Sequence, residues 1–286
     1  MSPTGTHSRE AAQPNRISLH PETMTGRMID IGAGRLYAHV RHGDEPALVF
    51  LHYWGGSHRT WSPVIELLAA RHGIVAYDQR GWGASNVVPG PFGLDQLADD
   101  ARHVIESCDL GRYVLVGHSM GGKTAQLLAG RRPPGLAGVV LVAPAPPVPV
   151  GVTAAHQETL AHAYDSPETV GESIDHALTH NGLPPALRAQ VIEDSLRGGS
   201  GARADWARHG IVQDIGDMVA NIDVPVLVLA GSDDRVDPPA ILKAHLLPRI
   251  PGATIQLLIG TGHLSPLEVP DQVAAHIEGF VTELAL

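Results

Sequence analysis

A serine that follows an apolar segment is the residue of this sequence best placed for nucleophilic chemistry. Ser119 is the centre of Gly-His-Ser-Met-Gly (117–121), which comes after the apolar run 113–116 and before a helical pattern that ends at Gly130. A G-x-S-x-G turn between a strand and a helix needs its glycines, because side chains there would clash as the chain turns. The pattern predicts a serine hydroxyl at the tip of a sheet, above a helix N-terminus that favours negative charge.

A histidine near the C-terminus is the predicted proton-transfer partner of this serine. His263 ends the segment Gly-Thr-Gly-His (260–263), directly after the last predicted strand. An imidazole titrates near neutral pH and can act first as general base and then as general acid. The chain contains 17 histidines. His263 is distinguished by its glycine-rich loop and by the order serine, acid, histidine along the chain.

The acid that would orient this imidazole has three candidates in one loop. The segment Gly-Ser-Asp-Asp-Arg-Val-Asp-Pro (231–238) follows a predicted strand and contains Asp233, Asp234 and Asp237. A carboxylate there can hold the histidine in one tautomer and stabilise it when charged. We favour Asp234, with Asp233 second. Asp237 precedes two prolines, which is typical of a residue that caps the helix that follows.

Backbone donors for an oxyanion are expected in a second loop beside Ser119. The predicted strand 47–52 runs into Tyr-Trp-Gly-Gly-Ser (53–57), where backbone N–H groups can face the nucleophile. We assign the two donors to the N–H groups of Trp54 and Met120.

Three further side chains are assigned to the substrate pocket: Tyr53, His118 and Trp206. Aromatic residues near the motifs indicate an apolar, aryl or cyclic substrate group, because such groups bury well against flat rings. The identity of the substrate is not encoded in any motif of the sequence.

The elements that position these residues alternate between strands and helices. Buried strands are predicted at 47–52, 73–78, 113–117, 138–143, 224–230 and 253–259, and helices at 58–71, 94–108, 120–130, 238–247 and 271–284. An opening hairpin is expected within residues 27–41. This alternation predicts an α/β fold, with a mostly parallel central sheet and helices on both faces.

The alternation is interrupted between residues 144 and 222. Helical patterns near 154–165, 168–180 and 185–196 are followed by a Gly/Ser/Ala loop that leads to Trp206. An all-helical insertion between two core strands lies over their carboxyl ends, where open α/β sheets bind ligands. We therefore predict three parts, namely a flexible N-terminal extension at 1–24, a core at 25–146 and 220–286, and a helical cap at 147–219.

Composition argues against several other classes of protein. The net charge is −10, and no basic stripe is present to neutralise nucleic-acid phosphates. No apolar run is long enough to span a bilayer, and the N-terminal residues lack the apolar stretch of a signal peptide. Cys108 is the single cysteine of the chain. It leaves no internal disulfide and favours a reducing compartment, so we expect a cytoplasmic protein that binds neither nucleic acid nor membranes.

Metal and cofactor sites are not expected. His176 and His180 have the i, i+4 spacing of metal ligands on a helix. The intervening Ala-Leu-Thr contains no general base, however, and no third ligand is apparent. The sequence also has no glycine-rich phosphate loop of the nucleotide-binding kinds.

Together these motifs resemble the α/β-hydrolase superfamily, in its branch of small esterases, cofactor-free haloperoxidases and lactonases with a helical cap. The resemblance extends from residue 27 to the C-terminus and is carried by 51–52, 78–85, 117–122, 224–231 with Asp234, 262–263 and 266–268. It implies that Asp78 and Arg80 are structural supports. The family usually has glycine where this chain has Tyr53, which puts an aromatic ring near the pocket mouth. Ser119 separates the chain from the haloalkane dehalogenases and epoxide hydrolases, which have aspartate there.

The expected function is the hydrolysis of carboxylic esters or lactones as small-molecule substrates. Ser119 attacks the carbonyl, His263 moves the proton, Asp234 orients His263, and water releases the acid. Two alternatives stay open. The same triad could serve a lyase, acyltransferase or perhydrolase reaction, or the chain could be a binding protein of this fold with negligible turnover.

Overall fold

A mostly parallel sheet of eight strands forms the centre of residues 23–284, the part of the chain that the computed structural model describes. The strands in chain order are β1 (Thr25–Asp30), β2 (Arg35–Arg41), β3 (Asp44–Leu51), β4 (His72–Tyr77), β5 (Tyr113–His118), β6 (Leu136–Val142), β7 (Val226–Gly231) and β8 (Thr254–Leu258). Their order across the sheet is β1-β2-β4-β3-β5-β6-β7-β8. β1 pairs antiparallel with β2 and β2 with β4, whereas all pairs from β4 to β8 are parallel.

The α-helices of the described residues follow the strands in alternation, except between β6 and β7. They are α1 (Ser62–Leu67), α2 (Leu94–Ser107), α3 (Met120–Gly130), α4 (Ala154–His162), α5 (Pro167–Ser173), α6 (Pro185–Arg197), α7 (Ser200–Arg208), α8 (Gly216–Val219), α9 (Pro239–His245), α10 (Ser265–Glu268) and α11 (Pro270–Leu284). The predicted fold class, a mostly parallel sheet with helices around it, is confirmed. The predicted extension at 1–24 falls almost entirely on residues outside the described part.

Helices cover both faces of the sheet, which explains why its central strands are uninterrupted apolar runs. Every residue of β5 and of β7 is buried. Alternate side chains point to opposite faces, so Phe50 and Val116 pack with α1 and α11, whereas Val49 and Leu115 pack with α2. Among residues 23–284, no helix is both long and apolar enough to cross a membrane.

The carboxyl ends of the parallel strands meet at one edge of the sheet, and four loops of interest begin there. β3 and β5 are neighbours with Leu51 opposite Gly117, and β7 and β8 are neighbours with Gly231 opposite Leu258. The loops that follow these strands therefore lie close together. Open α/β sheets bind ligands at this edge.

The segment between β6 and β7 contains α4 to α8 and a π-helical turn at Ile174–Leu178. The prediction of a loop leading to Trp206 is wrong, because Ser200–Arg208 forms α7. The buried face of α7 contains Ala202, Trp206 and Ala207. This spacing lets the helix bury an aromatic side chain, although the segment also contains glycines.

The predicted helix at 58–71 is also shorter in the structure. Residues His58–Trp61 form a 3-10 turn, and α1 ends at Leu67. Leu68 is extended, with ψ of 146°, because the chain must turn there to reach β4. A helical apolar pattern does not reveal where such a reversal begins.

Candidate active site

Ser119 lies in a strained turn between β5 and α3. Its backbone has φ of 52° and ψ of −113°, a conformation that residues with a side chain seldom adopt. A Cβ atom at Gly117 would lie 2.5 Å from the carbonyl oxygen of Gly121, and one at Gly121 would lie 2.5 Å from that of His52. The two glycines therefore let strand, turn and helix pack together, and the turn directs the Ser119 side chain into a cavity.

His263 and Asp234 form a buried pair beside this serine. Nδ1 of His263 lies 2.9 Å from Oδ2 of Asp234, and both side chains are almost fully buried. Oδ1 of Asp234 accepts the backbone N–H groups of Val236 and Asp237 at 2.8 and 3.0 Å. A carboxylate only accepts hydrogen bonds, so Nδ1 of His263 is the protonated donor to Oδ2 of Asp234. Nε2 is left as the basic nitrogen of His263. Ser119 and His263 line the same cavity.

Burial and nearby carboxylates have opposite effects on the pKa of His263, and the combined effect of Asp234, Asp237 and Glu268 prevails. Burial disfavours the imidazolium, but the nearby Asp234 carboxylate and its hydrogen bond favour it, and the pKa of His263 is raised above 6.5. The pair is thus prepared to hold a proton taken from a nucleophile.

The two other acids of this loop have different surroundings. Asp233 is exposed and accepts a hydrogen bond from the Ser232 hydroxyl at 2.6 Å, away from His263. The prediction that Asp237 caps the following helix is wrong, because α9 has Pro238 at its N-cap and no side chain of the described residues bonds there. Asp237 lines the cavity instead.

Glu268 fixes the loop that carries His263. Its Oε2 accepts the N–H of Gly262 at 2.8 Å, and its Oε1 accepts those of His180 and Asn181 at 2.8 and 3.1 Å. The Glu268 carboxylate therefore connects the loop that carries His263 to the helical segment, which is the part of the chain between β6 and β7. The role of Glu268 was not predicted, since the 266–268 motif gives no sign of its partners.

Two backbone N–H groups beside Ser119 have no partner among the described residues, namely those of Trp54 and Met120. Met120 is the first residue of α3, so its N–H belongs to the positive end of that helix. Trp54 follows β3, and its side chain lines the cavity. Free N–H donors near a nucleophile are what an oxyanion requires, so these two groups are candidate donors.

Side chains of the helical segment between β6 and β7 bond to the loop 53–57 at three points. The Tyr164 hydroxyl donates to the carbonyl oxygen of Trp54 at 2.9 Å, and the two rings stack with centroids 4.1 Å apart. The Ser195 hydroxyl donates to the carbonyl oxygen of Gly55 at 3.0 Å. The Ser57 hydroxyl donates to Asp194 at 2.9 Å. These contacts fix the loop in which the family's usual glycine is replaced by tyrosine.

Tyr53 itself is compatible with a tight turn. The N–H of Gly56 donates to the carbonyl oxygen of Tyr53 at 3.0 Å, and Gly55 adopts φ of +95°, which a glycine tolerates. The Tyr53 ring is buried and contributes to the cavity wall.

The cavity has a volume of about 280 Å³ and lies between these loops and the helical segment. Tyr53 and Trp206 line it, together with apolar side chains that include Val152, Leu160 and Leu178. The prediction that His118 lines the pocket is wrong. His118 is fully buried behind the serine, where its Nε2 bonds to the backbone oxygen of His263 at 2.8 Å. The side chain of His118 points to the face of the sheet that carries Trp61.

Asp78 and Arg80 lie outside the cavity lining. Asp78 Oδ1 accepts from the backbone and the ring of His58 at 2.7 and 2.8 Å. Arg80 forms a two-point ion pair with Asp100, with both N–O distances 2.7 Å. His176 is exposed, and no cluster of metal-ligating side chains occurs within the described part of the chain.

A strained serine, a buried histidine–acid pair and free N–H groups at the carboxyl edge of a parallel sheet define the α/β-hydrolase class of proteins. A model of the alpha/beta hydrolase family matches residues 48–276. The chain belongs to this family, as the motifs predicted.

The sequence relatives include an enol-lactonase and an esterase/perhydrolase. The chain is 27% identical over 249 residues to 3-oxoadipate enol-lactonase 2 of Acinetobacter baylyi, covering 82% of this chain and 88% of the relative. It is 28% identical over 224 residues to a bifunctional esterase/perhydrolase of Acinetobacter calcoaceticus, covering 68% and 76%. An esterase from Exiguobacterium antarcticum has the same fold, with a TM-score of 0.80, 21% identity, and coverage of 90% of this chain and all of that one.

Proposed function

We propose that the protein is a serine hydrolase that cleaves carboxylic esters or lactones through an acyl-enzyme. The observation that carries this proposal is the strained Ser119 opening onto the same cavity as the Asp234–His263 pair. The names of the relatives, an enol-lactonase and an esterase/perhydrolase, support this class of substrate.

The proposed reaction has two halves. Nε2 of His263 takes the proton of Ser119 as its Oγ bonds to the substrate carbonyl carbon, and the N–H groups of Trp54 and Met120 stabilise the oxyanion. The imidazolium, stabilised by Asp234, then protonates the departing alkoxide. In the second half His263 activates a water molecule, the carboxylic acid leaves, and Ser119 recovers its proton.

The test is a panel of esters and lactones of graded size, assayed with the wild type and with Ser119→Ala. We expect turnover of some members by the wild type and a loss of about a million-fold in the variant, because the nucleophile is gone. Turnover that is unchanged in Ser119→Ala contradicts the proposal. So does the absence of any turnover, which would favour a binding protein of this fold.

Perhydrolysis is the second candidate, because one relative is named for both activities. In that reaction hydrogen peroxide replaces water in the second half and the product is a peracid. Product analysis of ester turnover with and without peroxide separates the two reactions. The same analysis with an added alcohol detects acyl transfer.

We also propose that the helical segment at 147–219 acts as a cap that selects substrates. Trp206 of α7 lines the cavity but is absent from the Ser119, Asp234 and His263 loops. Trp206→Ala should change the ratio of kcat/KM between bulky and small esters more than it changes kcat on an acetate ester. An unchanged ratio would argue against a selecting role.

A further inference from the structure

Asp237 is a buried acid in the cavity that the proposed mechanism does not use. Its side chain is 9% exposed and lines the cavity beside His263. Its carboxyl oxygens accept no hydrogen bond and form no ion pair with any residue of 23–284, and it does not cap α9. A carboxyl that lines a cavity and has no protein partner is open to a hydrogen-bond donor that enters the cavity.

Several hydroxyl groups of the cavity wall donate to nearby backbone. The hydroxyl of Thr159 donates to the backbone oxygen of Ala155 at 3.1 Å, and that of Ser173 to the backbone oxygen of Thr169 at 2.9 Å. The Tyr164 hydroxyl donates to Trp54. Asp237 is the one carboxylate among the described residues of the cavity wall, and its acceptors have no partner there.

The backbone of Asp237 is held beside the proton-transfer pair. Its N–H donates to Oδ1 of Asp234 at 3.0 Å, and Asp234 in turn holds His263. The leaving oxygen of a substrate must come within hydrogen-bond distance of Nε2 of His263 to receive its proton. Because His263 and Asp237 line the same cavity, the alcohol portion of an ester shares that cavity with Asp237.

We propose that Asp237 binds a hydrogen-bond donor, a hydroxyl or ammonium group, on the alcohol portion of the substrate. This inference rests on the proposed function and narrows it to esters of polyols or amino alcohols and to hydroxy-substituted lactones. The apolar side chains of the wall, which include Val152, Leu160 and Leu178, would hold the acyl chain.

The charge balance around Asp237 is consistent with such a ligand. Burial raises the pKa of this carboxyl to about 7; His263 and Lys123 act against the rise, and Asp234 adds to it. A donor placed against the carboxylate stabilises its ionised form and offsets the cost of burial.

The test compares matched pairs of butanoate esters at about pH 8, where the ionised carboxylate prevails. The ester of ethylene glycol is paired with propyl butanoate, in which a methyl group replaces the hydroxyl. The ester of dimethylaminoethanol is paired with isopentyl butanoate. The readout is the ratio of kcat/KM within each pair, for the wild type, Asp237→Leu, Asp237→Asn and the control Asp233→Asn.

We expect the wild type to prefer the donor-bearing ester, and Asp237→Leu to lower that preference by about 10- to 100-fold. Asp233→Asn should leave it unchanged, because that exposed side chain is outside the cavity. Asp237→Asn keeps an acceptor but loses the charge, so the ammonium preference should fall more than the hydroxyl preference. This variant also decides the question if thermal unfolding shows that Asp237→Leu is not folded.

An equal ratio in wild type and variants overturns the inference. So does an equal loss on both members of a pair, because Asp237 would then act only through His263. In both cases ester hydrolysis still stands. If the wild type hydrolyses no ester at all, the proposed function fails and this inference fails with it.

Discussion

The two loops that flank the expected position of the substrate carbonyl are held by different parts of the molecule. The core holds the serine turn, because Gly117 packs against Gly121, Gly121 packs against the carbonyl oxygen of His52, and the N–H of Ser119 donates to the carbonyl oxygen of Val142 at 3.1 Å. The loop 53–57 is held by Tyr164, Ser195 and Asp194, which are more than a hundred residues away.

The difference separates how the proposed nucleophile is held from how the proposed oxyanion donors are held. A turn fixed by its own glycines and by core strands keeps its geometry whatever the helical segment does. A loop fixed by side chains of the helical segment moves when that segment moves. Substitutions in the helical segment should therefore act on the oxyanion side and leave the serine turn in place.

The largest effect is expected at Asp234, the acid that holds His263. Asp234→Asn should lower kcat by about 10⁴, because the imidazole loses the acceptor that fixes its tautomer and stabilises its charge. Steady-state kinetics on one ester measures the loss. Asp233→Asn is the matched control and should keep near-normal activity, since its side chain bonds only to Ser232 among the described hydrogen bonds. A reversed result would assign the acid role to Asp233.

The serine turn can be challenged with one methyl group. Gly121→Ala places a Cβ atom 2.5 Å from the carbonyl oxygen of His52, so the turn must shift. We expect the free energy of unfolding to fall by about 2 kcal/mol and activity by about 100-fold. Gly279→Ala in α11 is the control, because its Cβ has no atom within 4 Å, and it should be neutral or stabilising. If Gly121→Ala and Gly279→Ala have the same thermal unfolding and the same kinetics, the serine turn is not constrained as described.

The loop 53–57 can be loosened from a distance. Tyr164→Phe keeps the stacked ring but removes the hydroxyl that bonds to Trp54. Because the Trp54 N–H then loses its fixed direction, we expect kcat to fall by about tenfold with little change in KM. Tyr113→Phe is the control, since that buried hydroxyl has no partner in the described structure. An unchanged kcat in Tyr164→Phe would mean that the loop 53–57, like the serine turn, does not depend on the helical segment.

The smallest effect is expected in the pH profile. Despite the opposing effect of burial, Asp234, Asp237 and Glu268 together raise the pKa of His263 above 6.5, and the general base must be neutral to act. The value of kcat/KM should therefore rise with pH, with its midpoint above 6.5. Asp233→Asn should leave the midpoint unchanged. A midpoint at or below 6.5 in the wild type would contradict the ion pair as described.

The sequence predicts the locally specified parts of this molecule well. The parallel sheet follows from its apolar runs, and the positions of Ser119, Asp234 and His263 follow from short motifs at strand ends, although their catalytic roles stay predictions. The contacts of Tyr164 and Asp194 could not be predicted, because no motif links residues in a helical insertion to a loop so far away in the chain.

Two of the errors have a common cause, which is the direction of a side chain. His118 follows the strand pattern, but sequence alone does not say which face of β5 it joins, and the structure buries it near Trp61. Asp237 has the sequence environment of a helix cap, yet its side chain turns into the cavity. In both cases tertiary packing decides an orientation that local patterns leave open.

The central claim is that Ser119 is the activated nucleophile. It is tested most directly by treating the protein with a fluorophosphonate and mapping the adduct by peptide mass spectrometry. We predict one adduct, on Ser119, which forms much more slowly in Asp234→Asn and not at all in Ser119→Ala. An adduct on another residue, or labelling that persists in Ser119→Ala, would contradict it.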